Sequence, residues 1–312
     1  MKAFITGGCG QIGSHIAEMM LARGDEVLAI DDLSTGRRDH LADHPRLRVV
    51  EGSIADKRLI DSLVGDWKPD VLVHTAASYK DPEDWYNDTL TNCVGGANLV
   101  RAAKDNRVGR FIYFQTALCY GVKPLQRPIT LDHPRLPANS SYAISKTAAE
   151  DYLEISGLDH VTFRLANVVG PRNVAGPVPI FFSRLSQGKR CFVTTARRDF
   201  VFVKDLARTA LAAADGTGHG AYHFSSGGDI AIRTLYDGIV RAMGLNHYPQ
   251  PEIRPLGPDD AESILLDPSR TFADFGRISF TPLEETLRAA VAYYREFGVT
   301  GGYTHLKIRE KA

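Results

Sequence analysis

The sequence predicts an α/β protein, with a doubly wound parallel sheet in the first half of the chain and a smaller C-terminal domain after it. Three observations predict this fold class. Short apolar segments alternate with amphipathic ones, a glycine-rich turn directly follows the first apolar segment, and prolines and glycines interrupt the pattern after Gly170. Parallel strands need long crossover connections, usually helices, so the alternation favours a parallel sheet.

The predicted elements follow the chain in this alternating order. The strands, all short and apolar, are Lys2–Thr6, Val27–Ile30, Leu47–Val50, Val71–His74, Phe111–Phe114 and Val161–Leu165. Helices are predicted over Gln11–Arg23 and over about 87–105, 140–157 and 282–297. We expect residues 1–166 to form the first domain, with a segment near 200–225 returning to its sheet, and residues 167–312 to form mainly the second. The tail after Gly301 has too weak a pattern for a regular element.

Composition argues against several classes of function. The chain of 312 residues has 37 basic and 37 acidic side chains, so nothing favours nucleic acid or an anionic membrane as a partner. No apolar run approaches the roughly 20 residues of a membrane span, and a strand begins at Lys2 in place of a secretory signal. The four cysteines show no CxxC pair and no zinc-like spacing. We therefore expect a cytoplasmic protein without a metal site.

A dinucleotide-binding turn is predicted between the first strand and the first helix. Gly7, Gly10 and Gly13 recur every third residue there, and Gly8 adds the overlapping pattern Gly8-x-Gly10-x-x-Gly13. Glycines let the backbone turn tightly and approach a pyrophosphate at a helix N-terminus. Asp31 ends the second strand about 20 residues on, where ribose recognition needs a carboxylate. The pattern therefore predicts a Rossmann-type domain that binds NAD.

The choice between NAD and NADP depends on the residues after the second strand. The carboxylate of Asp31 favours NAD, because it would repel a 2′-phosphate on the ribose. Arg37 and Arg38 are the opposing observation, since NADP sites use nearby arginines, and the other interpretation places them at the start of a solvated helix.

Two later segments complete a family pattern. Tyr142 and Lys146 are four residues apart in a predicted helix and therefore share one face, and Thr116 follows a predicted strand. With the glycine turn, in this order, they resemble the extended short-chain dehydrogenase/reductases of the NAD-dependent nucleotide-sugar epimerase/dehydratase family, from Met1 to about Val299. The resemblance implies that Tyr142 is the base, that Lys146 holds the nicotinamide ribose and favours the phenolate, and that Thr116 orients the proton transfer.

The resemblance also implies a set of cofactor contacts. They are Gly7, Gly10, Gln11, Ile12, Gly13, Asp31, Asp32, Ser34, Thr35, Gly36, Ser53, Ile54, Thr75, Ala76, Ala77, Asn92, Tyr142 and Lys146. The family usually has an aspartate where Ser53 stands, so we expect adenine contact there without much specificity. Asn92 heads a segment like the family's Asn-Val-x-Gly-Thr, and we expect it to bridge structural elements and not to act as a catalyst.

The residues after Thr116 discriminate among the reactions of the family. Dehydratases that resemble this chain carry Asp and Glu where Ala117 and Leu118 stand, and related decarboxylases carry Glu at the second position. What remains suffices to epimerise C4 of a UDP-sugar through a transient 4-keto sugar. Two alternatives stay open, a 4-ketoreductase that consumes NAD(P)H and a catalytically silent NAD-sensing protein. The resemblance implies a role in surface polysaccharide synthesis, including lipopolysaccharide O antigen.

The second half of the chain carries the expected contacts with substrate, beside those of Thr116. Asn167 and Arg198 stand in segments like those with which the family binds the diphosphate of a nucleotide sugar. The family's second phosphate arginine has no match in register. Arg254 either reaches the phosphate from a longer loop or is a solvated charge, and both interpretations stay open.

Two further expectations concern the sugar and the subunits. Lys80 lies in a loop over the expected sugar site, where it is either a partner for the carboxylate of a uronic acid or a solvent-facing lysine. The resemblance implies a homodimer in which helices near 90–105 and 140–157 of each subunit form a four-helix bundle.

Overall fold

The computed structural model describes residues 1–79, 81–137, 140–248, 250–257 and 260–299. The expectations for Lys80 and for the tail after Gly301 lie outside the described residues.

The strands occupy most of the predicted segments and several short ones beyond. They are β1 (Lys2–Thr6), β2 (Glu26–Asp31), β3 (Leu47–Glu51), β4 (Val71–His74), β5 (Arg110–Thr116), β6 (His160–Leu165), β7 (Asn167–Val169), β8 (Phe192–Val193), β9 (Arg197–Arg198), β10 (Phe200–Phe202), β11 (Gly220–Phe224), β12 (Ile230–Ala231), β13 (Glu252–Ile253) and β14 (Ser263–Ile264). Seven parallel strands form the main sheet in the order β11-β6-β5-β4-β1-β2-β3. The predicted α/β fold class is confirmed.

The helices connect these strands. They are α1 (Gln11–Ala22), α2 (Lys57–Trp67), α3 (Trp85–Asp88), α4 (Gly96–Asp105), α5 (Ser141–Ser156), α6 (Pro177–Ser186), α7 (Val203–Ala214), α8 (Ile232–Met243), α9 (Ser269–Phe275) and α10 (Leu283–Phe297). A π-helix over Thr89–Gly95 joins α3 to α4, so the predicted helix near 87–105 begins at Trp85 and changes its winding in the middle. Within the described ranges, no helix has both the length and the apolarity to cross a membrane.

Helices cover both faces of the main sheet, which explains why its strands are apolar without alternation. On one face, α1 and α7 bury Ile16 and Leu206 against the strands. On the other face, α2, α4 and α5 bury Ile60, Leu99 and Leu153. A third core lies in the second half of the chain, where α6, α8 and α10 pack together.

The strand order places the functional site. β1 pairs with β2 on one side and with β4 on the other. The connection that leaves β1 therefore runs toward one edge of the sheet, to β2, and the connection that leaves β4 runs toward the other edge, to β5. This switch opens a crevice at the carboxyl ends of the strands, where ligands of open α/β sheets bind.

Candidate active site at the strand switch point

A cavity of about 550 Å³ lies at this crevice and brings most of the predicted site residues together. Those that line it are Gly7, Gly10, Gln11, Ile12, Asp31, Asp32, Ser34, Thr35, Ser53, Ile54, Thr75, Ala76, Ala77, Thr116, Tyr142, Lys146, Asn167 and Arg198. Among the described residues, four predicted ones do not line it, namely Gly13, Gly36, Asn92 and Arg254. The cavity therefore joins the predicted cofactor and substrate regions in one space.

The glycine turn has the close packing that its sequence predicts. Gly7 has a φ of +65°, and a Cβ on it would lie 2.6 Å from the backbone nitrogen of Ala76. A Cβ on Gly13 would lie 2.3 Å from the carbonyl oxygen of Gly7. Gly13 therefore acts by letting α1 pack against the turn, and Gly10 begins α1 without a side-chain cap. The first turn of α1 thus lines the cavity without a side-chain cap on its amides, as an anion site at a helix N-terminus requires.

Asp31 holds the loop after β2 in place. Its carboxylate accepts hydrogen bonds from the backbone nitrogens of Cys9 (2.8 Å) and Leu33 (2.9 Å). Burial raises the pKa of this carboxyl group, although the two backbone donors oppose the shift. A Cβ on Gly36 would come within 2.8 Å of the same carboxylate, so the missing side chain of Gly36 leaves room for the carboxylate in this position.

Arg37 and Arg38, which favoured NADP in the sequence analysis, bind other groups of the protein. Arg37 pairs with Asp39 and also donates to the carbonyl of Phe297 (3.2 Å). Arg38 donates to the carbonyl of Leu41 (2.7 Å) and pairs with Asp43. Neither arginine lines the cavity, which agrees with the prediction of NAD.

Asn92 is buried in the π-helix and acts as the bridge that the sequence predicts. Its amide donates to the carbonyl of Ser78 (2.9 Å) and to the Ser145 hydroxyl (3.0 Å), and its Oδ1 accepts from the Ser78 nitrogen (2.8 Å). It thereby ties the loop after β4 to the helix that carries Tyr142 and Lys146.

Tyr142 and Lys146 lie in the first turns of α5 and both face the cavity. Ser140 caps this helix by accepting from the backbone nitrogen of Ala143 (3.2 Å), which fixes where the turn begins. The ammonium of Lys146 is 4.2 Å from the ring centroid of Tyr113, and burial lowers the pKa of Lys146 to about 7.

The pKa of Tyr142 departs from the expectation. Burial raises it, and Tyr79 and Asp88 raise it further. The protein alone therefore does not favour the phenolate, because the lysine expected to stabilise it is itself close to losing its proton at neutral pH. The positive charge of an oxidised nicotinamide bound in the cavity would oppose this balance and favour the phenolate.

Thr116 ends β5 at the cavity and is fixed by a buried network that the sequence analysis missed. Its backbone nitrogen donates to Gln115 Oε1 (2.7 Å), and Gln115 Nε2 donates to Glu150 (3.0 Å). Glu150 also accepts from Arg164 Nε (3.0 Å). Because Glu150 follows Lys146 by four residues, the helical spacing was a signal for its position, whereas nothing in the sequence marks its partners.

The positions after Thr116 offer no acid or base. Ala117 and Leu118 both line the cavity with apolar side chains. The Thr116 hydroxyl accepts from the Leu118 nitrogen (3.2 Å) and so starts the short 3₁₀ turn Ala117–Tyr120.

The predicted substrate residues fall into two groups. Asn167 and Arg198 line the cavity, with Asn167 donating to the carbonyl of Asp199 (3.1 Å) and Arg198 paired with Asp260. Arg254 lies elsewhere: it pairs with Glu252 (2.9 Å) and stacks on the Phe192 ring at 4.2 Å. The structure thus brings one of the two predicted phosphate arginines to the cavity.

Sequence comparison agrees with this geometry. The model described as the NAD dependent epimerase/dehydratase family matches residues 3–223. The chain belongs to this family. A UDP-glucose 4-epimerase of Mycolicibacterium smegmatis is 31% identical to it, over 95% of this chain and 99% of that protein.

Two solved structures are similar to this family member over nearly its whole length. The Bordetella bronchiseptica enzyme WbmH, in complex with NAD⁺, is 74% identical with a TM-score of 0.94, covering 96% of this chain and 99% of its own. The enzyme WbmG of the same organism, in complex with NAD and UDP, is 39% identical with a TM-score of 0.89, covering 98% of each chain. The predicted family is confirmed, and the protein is an NAD-dependent enzyme of the epimerase class.

The cavity of this family member fits NAD by its own chemistry. The positions of Gly7 and Gly13 leave no room for a Cβ, so the backbone there can approach a pyrophosphate closely. The amide nitrogen Nε2 of Gln11, in the first turn of α1, is buried with no hydrogen-bond partner among the described residues. An anion bound at this helix N-terminus would supply a hydrogen-bond acceptor for this buried donor.

A further pair of residues beside the cofactor region was not predicted. Arg172 donates to Glu18 and to the Ser14 hydroxyl (both 3.0 Å) on α1. Asn173 donates to Gln11 Oε1 (3.2 Å). These contacts fasten the loop after β7 onto the cofactor helix. Gly170 and Pro171 precede Arg172 in the sequence, but they carry no information about the partners of the arginine.

Burial of Lys146 leads to a prediction about stability. Its pKa is about 7 in the folded protein and about 10.4 in an unfolded chain. Below pH 7 it is charged in both states, so the full cost of burying the charge is present; between about pH 7 and 10 the folded state sheds its proton first and the cost declines. We expect Lys146→Met, in NAD-free protein at pH 6.5, to raise Tm by roughly 5 °C.

Thermal unfolding at pH 6.5 and 9.5 checks this expectation. The gain should be smaller at pH 9.5, and Lys189→Met, at an exposed lysine, should change Tm little at either pH. A Lys146→Met protein less stable than the wild type at pH 6.5 would show that the buried ammonium stabilises the fold.

Proposed function

We propose that this enzyme inverts C4 of a UDP-sugar through a transient 4-keto sugar, with NAD retained throughout. One observation carries the proposal. Thr116, Tyr142 and Lys146 line the same cavity as the dinucleotide turn, while Ala117 and Leu118 offer no group for dehydration or decarboxylation. The names of the relatives, UDP-glucose 4-epimerase and an enzyme solved with NAD and UDP, support a uridine nucleotide and C4.

The residues would divide the chemistry as follows. When bound, NAD⁺ supplies the acceptor for hydride from C4, and its charge favours the Tyr142 phenolate. Tyr142 takes the proton of the C4 hydroxyl, and Thr116 holds that hydroxyl in line with it. The 4-keto sugar would then rotate in the cavity and present its opposite face to the cofactor for the return of hydride, and Tyr142 would return the proton. The reaction is redox-neutral overall, so no other oxidant or reductant is needed.

The proposal also assigns the two halves of the chain and a setting. Residues 1–166 together with β11 would bind NAD, and the remainder would mainly bind the nucleotide sugar, with Asn167 and Arg198 on the diphosphate. The four cysteines are unpaired in the structure, which suits the reducing cytoplasm. We place the product in surface polysaccharide assembly, including lipopolysaccharide O antigen, on the family resemblance alone.

Proton NMR of the purified enzyme with a panel of UDP-sugars tests the proposal. The panel contains hexoses, N-acetylhexosamines, and the uronic acids of both, with no cofactor added. A new anomeric signal from an isomer of equal mass is expected for at least one sugar, and it would identify the substituents. Silence across the panel, together with reduction of a UDP-4-keto sugar at the expense of added NAD(P)H, would replace the epimerase with a ketoreductase.

We also propose a homodimer built from the helices around Tyr142. Six large apolar side chains are exposed on the helical segment 85–105 and on α5, namely Trp85, Tyr86, Val94, Ile144, Tyr152 and Ile155. The two segments pack side by side, and exposed large apolar side chains on adjoining helices are a mark of an interface.

Ile155→Glu is expected to turn the dimer into a monomer, because a carboxylate would be buried where Ile155, 79% exposed in the single chain, meets the partner subunit. Size-exclusion chromatography with light scattering measures the mass. Ile253→Glu is the matched control, since Ile253 is 71% exposed on β13 in another part of the fold. A dimer that survives the first substitution, or a monomer produced by the second, would contradict the assigned face.

A further inference from the structure

The anion-binding arginine of the cavity already has an anionic partner from its own chain. Arg198 pairs with Asp260, and both side chains line the cavity. Only 14% of the Arg198 side chain and 12% of the Asp260 side chain are exposed, so water screens the pair weakly. Neither the glycine pattern nor the diphosphate segments indicated a role for Asp260. The inference drawn from this pair rests on the proposed function.

The hydrogen bonds of Arg198 show which of its donors an incoming anion can use. Its Nη1 donates to the carbonyl oxygens of Arg197 (2.7 Å) and Ala261 (2.8 Å), which fixes the plane of the guanidinium. Asp260 accepts from Nη2. Nε has no acceptor among the described residues. A phosphate that binds the guanidinium edge in the bidentate manner needs both Nε and Nη2, so it competes with Asp260 for Nη2.

The two other cationic side chains that line the described cavity, Arg172 and Lys146, also have partners within the protein. Arg172 is paired with Glu18 on α1, and Lys146 lies against the Tyr113 ring beside Tyr142. The diphosphate of a nucleotide sugar is dianionic and would therefore meet an arginine whose charge Asp260 already neutralises. If Asp260 stayed on Arg198, its carboxylate and the diphosphate would lie close together in a poorly solvated cavity, and repulsion between these like charges is costly.

We propose that Asp260 is a stand-in for the diphosphate: it holds Arg198 in the nucleotide-free enzyme and gives up Nη2 when the nucleotide sugar binds. The exchange keeps Arg198 fixed and paired in both states, and it lowers the affinity for the nucleotide by the energy of the pair that must break. Asp260 is thus a residue that sets nucleotide affinity without taking part in the chemistry.

Calorimetric titration of the NAD-loaded enzyme with UDP, and separately with uridine, tests the proposal. Asp260→Asn keeps an oxygen acceptor for Nη2 but removes the charge, so we expect the Kd for UDP to fall about tenfold and the Kd for uridine to stay unchanged. Asp229→Asn is the matched control, because Asp229 pairs with Nε of the neighbouring Arg197 and neither residue lines the cavity. It should leave both affinities unchanged.

The sign of the Asp260→Asn effect decides the inference, and Arg198→Gln separates it from the proposed function. If both variants weaken UDP binding, Asp260 merely positions Arg198, and the stand-in is refuted while the diphosphate role of Arg198 stands. If Arg198→Gln leaves UDP binding unchanged, Arg198 does not bind the diphosphate and that part of the proposed function fails as well. NAD content and Tm report folding, and Asp260→Ser is the second variant should the asparagine protein not fold.

Discussion

Replacement of Tyr142 by phenylalanine is expected to lower the rate of epimerisation by roughly 10³-fold, within the range that a positioned acid–base group contributes. The substitution removes one hydroxyl and leaves the ring, which packs against Tyr79 at a centroid distance of 6.3 Å. The fold and the NAD content should therefore stay unchanged. The measurement is the initial rate with the UDP-sugar identified by NMR, at equal concentrations of NAD-loaded protein.

Tyr79 provides the control, because its side chain also lines the cavity. Tyr79→Phe removes a phenol from the same space and should reduce the rate less than tenfold, since the phenol of Tyr79 has no assigned step. The pH profile gives a second readout: the limb that rises with pH in the wild type reports deprotonation of Tyr142 and should vanish in Tyr142→Phe. Equal losses in the two variants would mean that the base has been assigned wrongly.

The second large effect is expected from Gly13→Ala, which should abolish retention of NAD. The new Cβ would lie 2.3 Å from the Gly7 carbonyl oxygen and 2.7 Å from Thr75 Oγ1, so the turn and α1 must separate. Overpacking of this kind costs about 1–3 kcal/mol, and it displaces the amides that should meet the pyrophosphate. We expect the NAD content of the purified protein to fall more than tenfold and Tm to drop.

Gly65→Ala is the matched control for this substitution. Gly65 lies within α2, and a Cβ there would meet only Asn106 Oδ1, at 3.6 Å. Alanine is the better helix former, so this variant should be as stable as the wild type or more stable by up to about 1 kcal/mol. A Gly13→Ala protein that binds NAD in full with an unchanged Tm would refute the role of Gly13 in closing the turn.

Much of the fold was predictable because each strand of the main sheet is a short, continuous run of mostly apolar residues. The segment Val71–His74 is apolar without alternation, as a strand covered on both faces must be, and it was found with the bounds that the structure has. The π-helix over Thr89–Gly95 was not predictable, because its apolar spacing resembles that of an ordinary helix. Helix α2, over Lys57–Trp67, was not assigned from the sequence, although its buried Ile60, Leu63 and Val64 follow helical spacing.

The candidate site divides in the same way. The turn at Gly7, the carboxylate of Asp31 and the pair of Tyr142 and Lys146 were predicted because each depends on a few neighbouring residues or on the fixed geometry of a helix. Arg254 shows the limit: its charge and its place near the expected phosphate segment made it a candidate, yet it is paired with Glu252 outside the cavity.

The sequence by itself determined the fold class and the family, and it placed the glycine turn after β1 and Tyr142 and Lys146 on one face of α5, since these follow from local spacing. Only the tertiary structure decided which charges meet. Arg198 finds Asp260 across 62 residues, and Arg172 finds Glu18 across 154. Such pairs depend on the path of the whole chain and on which side chains are shielded from water, and no local pattern records either.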